Sequence, residues 1–215
     1  MQIVTYRCNT GKENMAIDAQ LLEEAIKNKL TEPVFRLYGW KPACVSLGRN
    51  QKEDFINFDL LKKLNIDVVR RLTGGRALLH ENEITYSFVC PTTYLKNGEH
   101  VVSSYKEISQ ILINKFKKLG IELNFGTSKA IKTKFDYCML LSTGADLCHN
   151  NKKLIGSAQC RKHGYILQHG SILYDYDREL LEKIFNEPID TNSITTIKEI
   201  NPNLTKTDII KALCD

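Results

Sequence analysis

The stretch RRLTGGRALLHENEITYSF, Arg70 to Phe88, sets two adjacent glycines between runs of strand-forming residues. Glycine loses more conformational entropy on folding than any other residue. A Gly-Gly pair therefore marks a place where the backbone takes positive φ or passes close to a neighbour, with a plain tight turn as the simpler alternative. Upstream, IDVVRRL is a strand that runs into Gly74-Gly75; downstream, ITYSFV (Ile84 to Val89) is the strand that leaves. The glycines thus occupy a strand-to-strand connection. Arg70 and Arg71 point to opposite sides of their strand, so at most one of them shares a face with a ligand held by the loop. The loop is neither the GxGxxG that opens a helix nor the Lys-bearing phosphate loop, which removes both nucleotide fingerprints. His80 follows within a few residues and, taken alone, is an ordinary hydrogen-bonded structural side chain.

Working outward, Met15, Ala19, Leu22 and Ile26 recur at helical spacing after Asn14. VFRLYGW and CVSLGR are strands separated by a Lys41-Pro42 turn, and a short helix covers Leu60 to Leu64. Ser104 with Glu107 has the spacing of a capping box, and Ile108, Ile111, Leu112, Phe116 and Leu119 fill one face of a helix that stops at Gly120. ADLCH, the pair Asn150-Asn151 and KKLIGSAQ form a hairpin, because asparagine tolerates the left-handed conformations of two-residue turns. YILQHGSIL adds a strand. The tail is helical through Leu180, Leu181 and Ile184 and again through Ile209, Ile210 and Leu213, with Thr205 as a cap. No repeat or low-complexity linker divides residues 1–215, so one α+β domain is expected, its helices packed on a mixed, largely antiparallel sheet.

Composition narrows the class. Hydrophobic residues at 42% and charged residues at 26% are ordinary globular values. No apolar run spans a bilayer, and MQIVTYRCNTGKENMA lacks the layout of a secretory leader, so a cytoplasmic protein without membrane contact is expected. Seven cysteines are an odd count at irregular spacing, which argues for reduced thiols. Lys115, Lys117, Lys118, Lys129, Lys132 and Lys134 crowd together within a net charge of +5. Such a patch is either a solvated face or a steering surface for an acidic partner. Nucleic acid is not expected, because aromatic and basic residues are not interleaved as stacking platforms require.

Two chemistries compete for the cysteines. Cys148-His149 with Cys160-x-x-His163 suggests zinc, but adjacent residues on a strand face opposite ways, so no metal is expected. A thiol becomes a nucleophile when a nearby cation lowers its pKa. If Asn150-Asn151 is a two-residue turn, Lys153 lies opposite Cys148, so spacing alone nominates Cys148. The alternative makes every cysteine a small buried hydrophobe.

Four segments in order, NMAIDAQLL, FRLYGWKPACVSLGRNQ, VVRRLTGGRALLHENEITYSF and KKLIGSAQCRKHGYILQHGSIL, resemble the biotin/lipoate protein ligase superfamily, and within it the LipM-type octanoyltransferase branch. The likeness runs from about Asn14 to about Leu173. It implies the catalytic-domain fold of that superfamily and an acyl-binding site made by Arg71, Gly74, Gly75, Arg76 and His80 with Gly156 and Ser157. It identifies Lys153 as the lysine of the K-x-x-G-S-A-Q motif and, fifteen residues before it, Cys138 as the nucleophile; Cys148 is similar to an ordinary strand residue. After the nucleophile such proteins usually continue with Phe-Asp, whereas this chain has Met139-Leu140-Leu141-Ser142.

The implied reaction moves octanoyl from octanoyl-acyl carrier protein, through a Cys138 thioester, to a lysine of glycine cleavage H protein or another lipoyl domain. It needs no ATP, cofactor or metal, and a monomer is expected. The lysine patch then becomes a docking face for acidic carriers, and His80 a candidate contributor to deprotonating the acceptor amine. Alternatives on the same fold are an ATP-dependent lipoate-protein ligase and an amidotransferase from H protein to dehydrogenase subunits; a non-catalytic binding module is the remaining reading.

Overall fold

In the computed structural model, which describes residues 1–127, 137–140, 143–190 and 192–215, the strand signals assemble into two sheets rather than one. The chain runs β1 (Gln2–Asn9), α1 (Gly11–Lys27), β2 (Val34–Trp40), β3 (Cys44–Leu47), α2 (Phe58–Lys63), β4 (Asp67–Arg70), β5 (Leu78–His80) and β6 (Glu83–Pro91). It continues through α3 (Val101–Lys118), β7 (Asn124–Phe125), β8 (Leu147–His149), β9 (Lys152–Lys162), β10 (Tyr165–Leu173), α4 (Arg178–Phe185), α5 (Ile197–Ile200) and α6 (Lys206–Cys214). The large sheet has the order β1-β2-β6-β10-β9-β8-β7 and the small one β4-β3-β5. Only the β1–β2 and β3–β4 ladders are parallel, so the expected α+β class with a mixed, largely antiparallel sheet holds.

Local signals place most element ends. Thr10 and Glu13 form a reciprocal capping box that starts α1 at Gly11, upstream of the periodic residues. Asn150 and Asn151 take φ of 49° and 63° and join β8 to β9 as a left-handed turn. Thr205 caps α6. The Ser104–Glu107 capping box does not form. Its helix, α3, begins three residues earlier, with His100 at the cap position; Ser104 is buried inside the first turn and donates to the Val101 carbonyl. Glu107 reaches back to accept from the backbone amides of Lys96 and Asn97. Glu107 still ties down the incoming chain, but from within the helix. Of the lysine patch, Lys115, Lys117 and Lys118 sit in the last turn of α3, while Lys129, Lys132 and Lys134 lie outside the described residues. Among the described residues no helix is long and apolar enough to cross a membrane.

Alternation along the central strands gives the large sheet two different faces. One carries Phe35, Leu37, Ile84, Tyr86, Phe88, Ile166 and Ile172 and packs into the main core with Ile108, Leu112 and Phe116 of α3 and Ile209 and Leu213 of α6. The other carries Arg36, Tyr38, Thr85, Ser87, His169 and Ser171, all buried. Polar side chains are rarely buried unless they are paired, so this second face needs an explanation. Part of it is a network on α1. Asp18 accepts from Arg36 Nη1 at 2.7 Å, Tyr38 Oη at 2.8 Å, Ser87 Oγ at 3.0 Å and His169 Nδ1 at 3.1 Å. Burial alone would raise its pKa; the bonds to His169, Arg36 and Tyr38 outweigh that and hold the carboxyl below its ordinary value. We expect Arg36→Met, which strands this carboxylate in the interior, to cost about 3 kcal/mol or more in urea unfolding; a loss below about 1 kcal/mol would show that the remaining partners suffice.

Candidate active site

The rest of the polar face borders a cavity between the two sheets, whose empty space is about 460 Å³ with the open solvent at its mouth included. Tyr38, Thr85, Ser171 and Gly156 sit in register across β2, β6, β10 and β9 and form its floor. Three strand spacings make that row about 14 Å long. Leu78 and His80, on one side of β5, close it from the small sheet, and the His80 ring stacks on Trp40 with centroids 3.9 Å apart. Cys138 lines the cavity near Gly156, and it is the only cysteine to do so among the described residues.

Arg71 builds the mouth. It is the buried member of the arginine pair; Arg70 is exposed and reaches the carbonyls of Gly48 and Gln51 and the carboxylate of Glu53. All five guanidinium hydrogens of Arg71 have protein acceptors: Nη1 donates to Ser46 O and Ser46 Oγ, Nη2 to Gly74 O and Arg76 O, and Nε to Thr73 Oγ1. Arg71 therefore wires the Gly-Gly loop to β3. Gly75 has φ of 100° and its carbonyl lies where a Cβ on Gly48 would stand, at 1.9 Å, so this close approach and positive φ require glycine at both positions. Gly74 differs: a Cβ there meets no protein atom within 4 Å, and Gly74 is not among the residues that line the cavity. Arg76 and Gly75 line the cavity.

The loop in turn holds the cysteine. The Cys138 amide donates to Ala77 O at 2.8 Å, and Tyr137 bridges to Ala77, so the cysteine begins its short 3-10 turn hung on the end of the Gly-Gly connection. Cys138 is partly exposed, whereas Cys148 is buried and lies off the cavity. Cys148 does face Lys153 across the hairpin, as the two-residue turn requires. The register shifts there, however, because Leu154 is an extra residue in β9 opposite the Leu147–Cys148 step. A bulge re-aims the side chains on either side of it. Lys153 consequently lies against Gly156, whose Cβ position is 3.0 Å from Lys153 Cε, and its Nζ donates to Cys138 O at 3.1 Å and to Asp146 Oδ2 at 3.1 Å. Cross-strand register fixes backbone neighbours, while beside the bulge the ammonium bonds the carbonyl of Cys138, the cysteine that lines the cavity.

His80 is part of a closed relay. Ser46 Oγ accepts from Arg71 and lies 2.7 Å from His80 Nε2, so its hydrogen goes to that nitrogen. The N–H is left on Nδ1, 3.5 Å from Glu83 Oε1. Burial holds the imidazole below its ordinary pKa against the opposing effect of Glu83, which keeps the ring neutral. With its lone pair engaged, His80 is a wall of the cavity and not an available base. Ser157 also borders the space and shares a hydrogen bond of 2.8 Å with Tyr86 Oη. Sequence reasoning passed over Met15, Tyr38, Trp40, Thr85 and His169 as wall residues. The four strand residues carried no signal beyond strand alternation, and Met15 none beyond helical periodicity.

A family profile described as the lipoyl protein ligase A/B catalytic domain matches residues 10–215. The chain is 40% identical over 187 residues to the protein named octanoyltransferase LipM of Clostridioides difficile, covering 85% of this chain and 69% of that one. It is 42% identical over 176 residues to the LipM octanoyltransferase of Carboxydothermus hydrogenoformans, covering 81% and 65%. The Bacillus subtilis protein of the same name gives 38% over 184 residues, 81% and 66%. The chain thus spans about two thirds of the length of these curated relatives. A crystal structure of lipoate-protein ligase A bound with ATP superposes with a TM-score of 0.77 at 20% identity, covering 99% of this chain and 81% of that one, which shows a shared fold.

The state of His80 is measurable. Because its folded pKa lies below the unfolded value of about 6.5, its neutral form supports folding fully above that pH, and this support is lost as pH falls through the window beneath it. Unfolding free energies between about pH 5 and pH 7 should therefore fall more steeply in the wild type than in His80→Gln. Equal slopes in the two proteins would mean that folding leaves the pKa of the ring unshifted.

Proposed function

The chain belongs to the lipoyl protein ligase A/B catalytic-domain family as a LipM-type acyltransferase, and on that premise we propose that it is an octanoyltransferase of protein lipoylation. In this reading residues 1–215 act as one catalytic domain, Cys138 accepts octanoyl from octanoyl-acyl carrier protein, and the acyl group then passes to a lysine of a lipoyl domain, glycine cleavage H protein first among them. The observation that carries it is Cys138 at one end of a walled cavity whose length suits a fatty chain.

The dimensions support the assignment. An extended octanoyl chain measures about 9 Å from carbonyl carbon to methyl at ordinary C–C lengths. It fits along a floor of about 14 Å once the sulfur and the terminal methyl have their van der Waals room. Burying its six methylenes yields about 5 kcal/mol, enough to hold the chain in place between the two transfers. The Trp40–His80 stack is then the far wall.

In the first transfer the Cys138 sulfur attacks the donor thioester carbonyl, the donor carbon–sulfur bond breaks, and the carrier leaves as a thiolate that takes up a proton. In the second the neutral acceptor amine attacks the enzyme thioester carbonyl, a carbon–nitrogen bond forms, the carbon–sulfur bond to Cys138 breaks, and Cys138 leaves as a thiolate while the amine's proton passes to solvent. A thioester exchanged for a thioester is nearly neutral in energy, so the first step calls for no nucleotide. Lys153 binds the carbonyl of Cys138 and so fixes the turn that aims the sulfur. The amide of Cys138 is committed to Ala77. Oxyanion stabilisation in this reading therefore comes from other backbone amides of the loop or of β9, at about 3 kcal/mol per donor.

Two measurements test this. Mixed with octanoyl-acyl carrier protein and no nucleotide, the wild type and Cys148→Ala should gain one octanoyl group in intact mass, while Cys138→Ala should gain none; an adduct that survives in Cys138→Ala refutes the assignment. Trp40→Ala should shift preference toward acyl chains about two or more carbons longer, because a large buried side chain is removed from the far wall. An unchanged chain-length profile would place the end of the acyl site elsewhere.

A further inference from the structure

Lys153 is the cation that the K-x-x-G-S-A-Q motif offers to the nucleophile, yet its charge is already engaged. Its Nζ lies 3.1 Å from Asp146 Oδ2, and both side chains are almost fully buried. The carboxylate is fixed independently: the same oxygen accepts from the Thr143 amide at 2.7 Å and from Thr143 Oγ1 at 2.9 Å, and the Asp146 carbonyl accepts from Gly126 N. Seen from Cys138, the pair is a dipole with little net charge.

Arg71 is different. Among the described residues, every acceptor around its guanidinium is a carbonyl or a hydroxyl, and it makes no ion pair. It is buried, so water screens its charge poorly. It also hangs on the same run of backbone as the cysteine: Arg71 Nη2 donates to Arg76 O at 3.0 Å and Cys138 N to Ala77 O at 2.8 Å, carbonyls of successive residues. Arg71 and Cys138 also line the same cavity.

We propose that Arg71, and not Lys153, supplies the net positive charge that keeps the Cys138 sulfur ionised for acyl transfer; Lys153 and Asp146 form a neutral clamp that positions the turn. This rests on Cys138 being the acyl acceptor. Among the described residues, the other ionisable groups near Cys138 do not supply that charge. Arg76 is half-exposed and screened by water, and His80 is neutral. His169 is bound to Asp18, Glu187 accepts from the Tyr137 amide, and burial pushes the hydroxyls of Tyr105 and Tyr137 upward, so both are uncharged. Ionisation releases the thiol proton to solvent and leaves the sulfur beside the guanidinium.

Rates of iodoacetamide alkylation at Cys138, followed by peptide mass from pH 5 to pH 10, read the ionisation directly without any acyl donor. Lys153→Gln alone should move the midpoint up by about one pH unit, a tenfold loss of thiolate, because it unmasks the Asp146 charge. Adding Asp146→Asn should return the midpoint to within about half a unit of wild type, since a neutral pair has been replaced by a neutral pair. Arg71→Gln should raise it by about a unit or more. If the Asp146→Asn/Lys153→Gln double variant stays as high as Lys153→Gln, the charge comes from Lys153 and the proposal is overturned, whatever the fold of Arg71→Gln. A wild type that alkylates normally but takes no octanoyl group would instead overturn the proposed function and leave the charge assignment standing.

Discussion

The site depends on one buried guanidinium. Arg71 joins β3, through both oxygens of Ser46, to the carbonyls of Gly74 and Arg76 in the loop that follows β4. Neutral acceptors replace the water it gives up, and each bond to a charged group is worth more than a neutral one. Because the loop cannot drift from β3, Gly75 can approach Gly48 closely and Ala77 can offer its carbonyl to Cys138. The small sheet, the loop and the Cys138 turn are therefore placed by the same side chain. A lysine has one compact head and cannot span the same set of acceptors.

The second anchor comes from the opposite wall. The backbone of Lys153 leaves the β8 ladder at the bulge and is bonded by another segment: Lys153 N donates to Ser193 O and Thr195 N donates to Lys153 O. With the strand held on both sides, the side chain turns toward Gly156, Asp146 and the Cys138 carbonyl. Cys138 is thus gripped at its amide by the loop and at its carbonyl by Lys153. Its side chain is left to face the cavity.

How much of this was legible in the sequence follows from the range of the interactions. Asn150-Asn151, Thr205 and the strands VFRLYGW and YILQHGSIL were readable because their causes are local: left-handed asparagines, a capping hydroxyl and uninterrupted strand-forming runs. The start of α3 was misread because Ser104 and Glu107 have capping-box spacing, while the side chain of Glu107 bonds backbone ten and eleven residues upstream. β5 is too short to carry a pattern and exists only because Ser46 and Cys44 of β3 pair with it. Choosing between Cys138 and Cys148 needed the bulge at Leu154, which no residue type announces.

The cavity wall also shows why residue names mislead about its chemistry. Thr85, His80, Ser171 and His169 are polar, yet their heteroatoms are already bonded to protein partners. Trp40 Nε1 donates to Thr85 Oγ1, Thr85 and Ser171 donate to Glu83, Ser46 faces His80, and Thr73 with Asp18 brackets the ring of His169. The exception is His80 Nδ1, left without a full hydrogen bond beside Glu83 and covered by Trp40. A ligand with hydroxyls or amides would have to break these bonds or bury its own groups unpaired, at a cost that a hydrocarbon chain avoids. Saturation of the wall by its own neighbours makes a polar-looking face better suited to hydrocarbon than to a polar ligand.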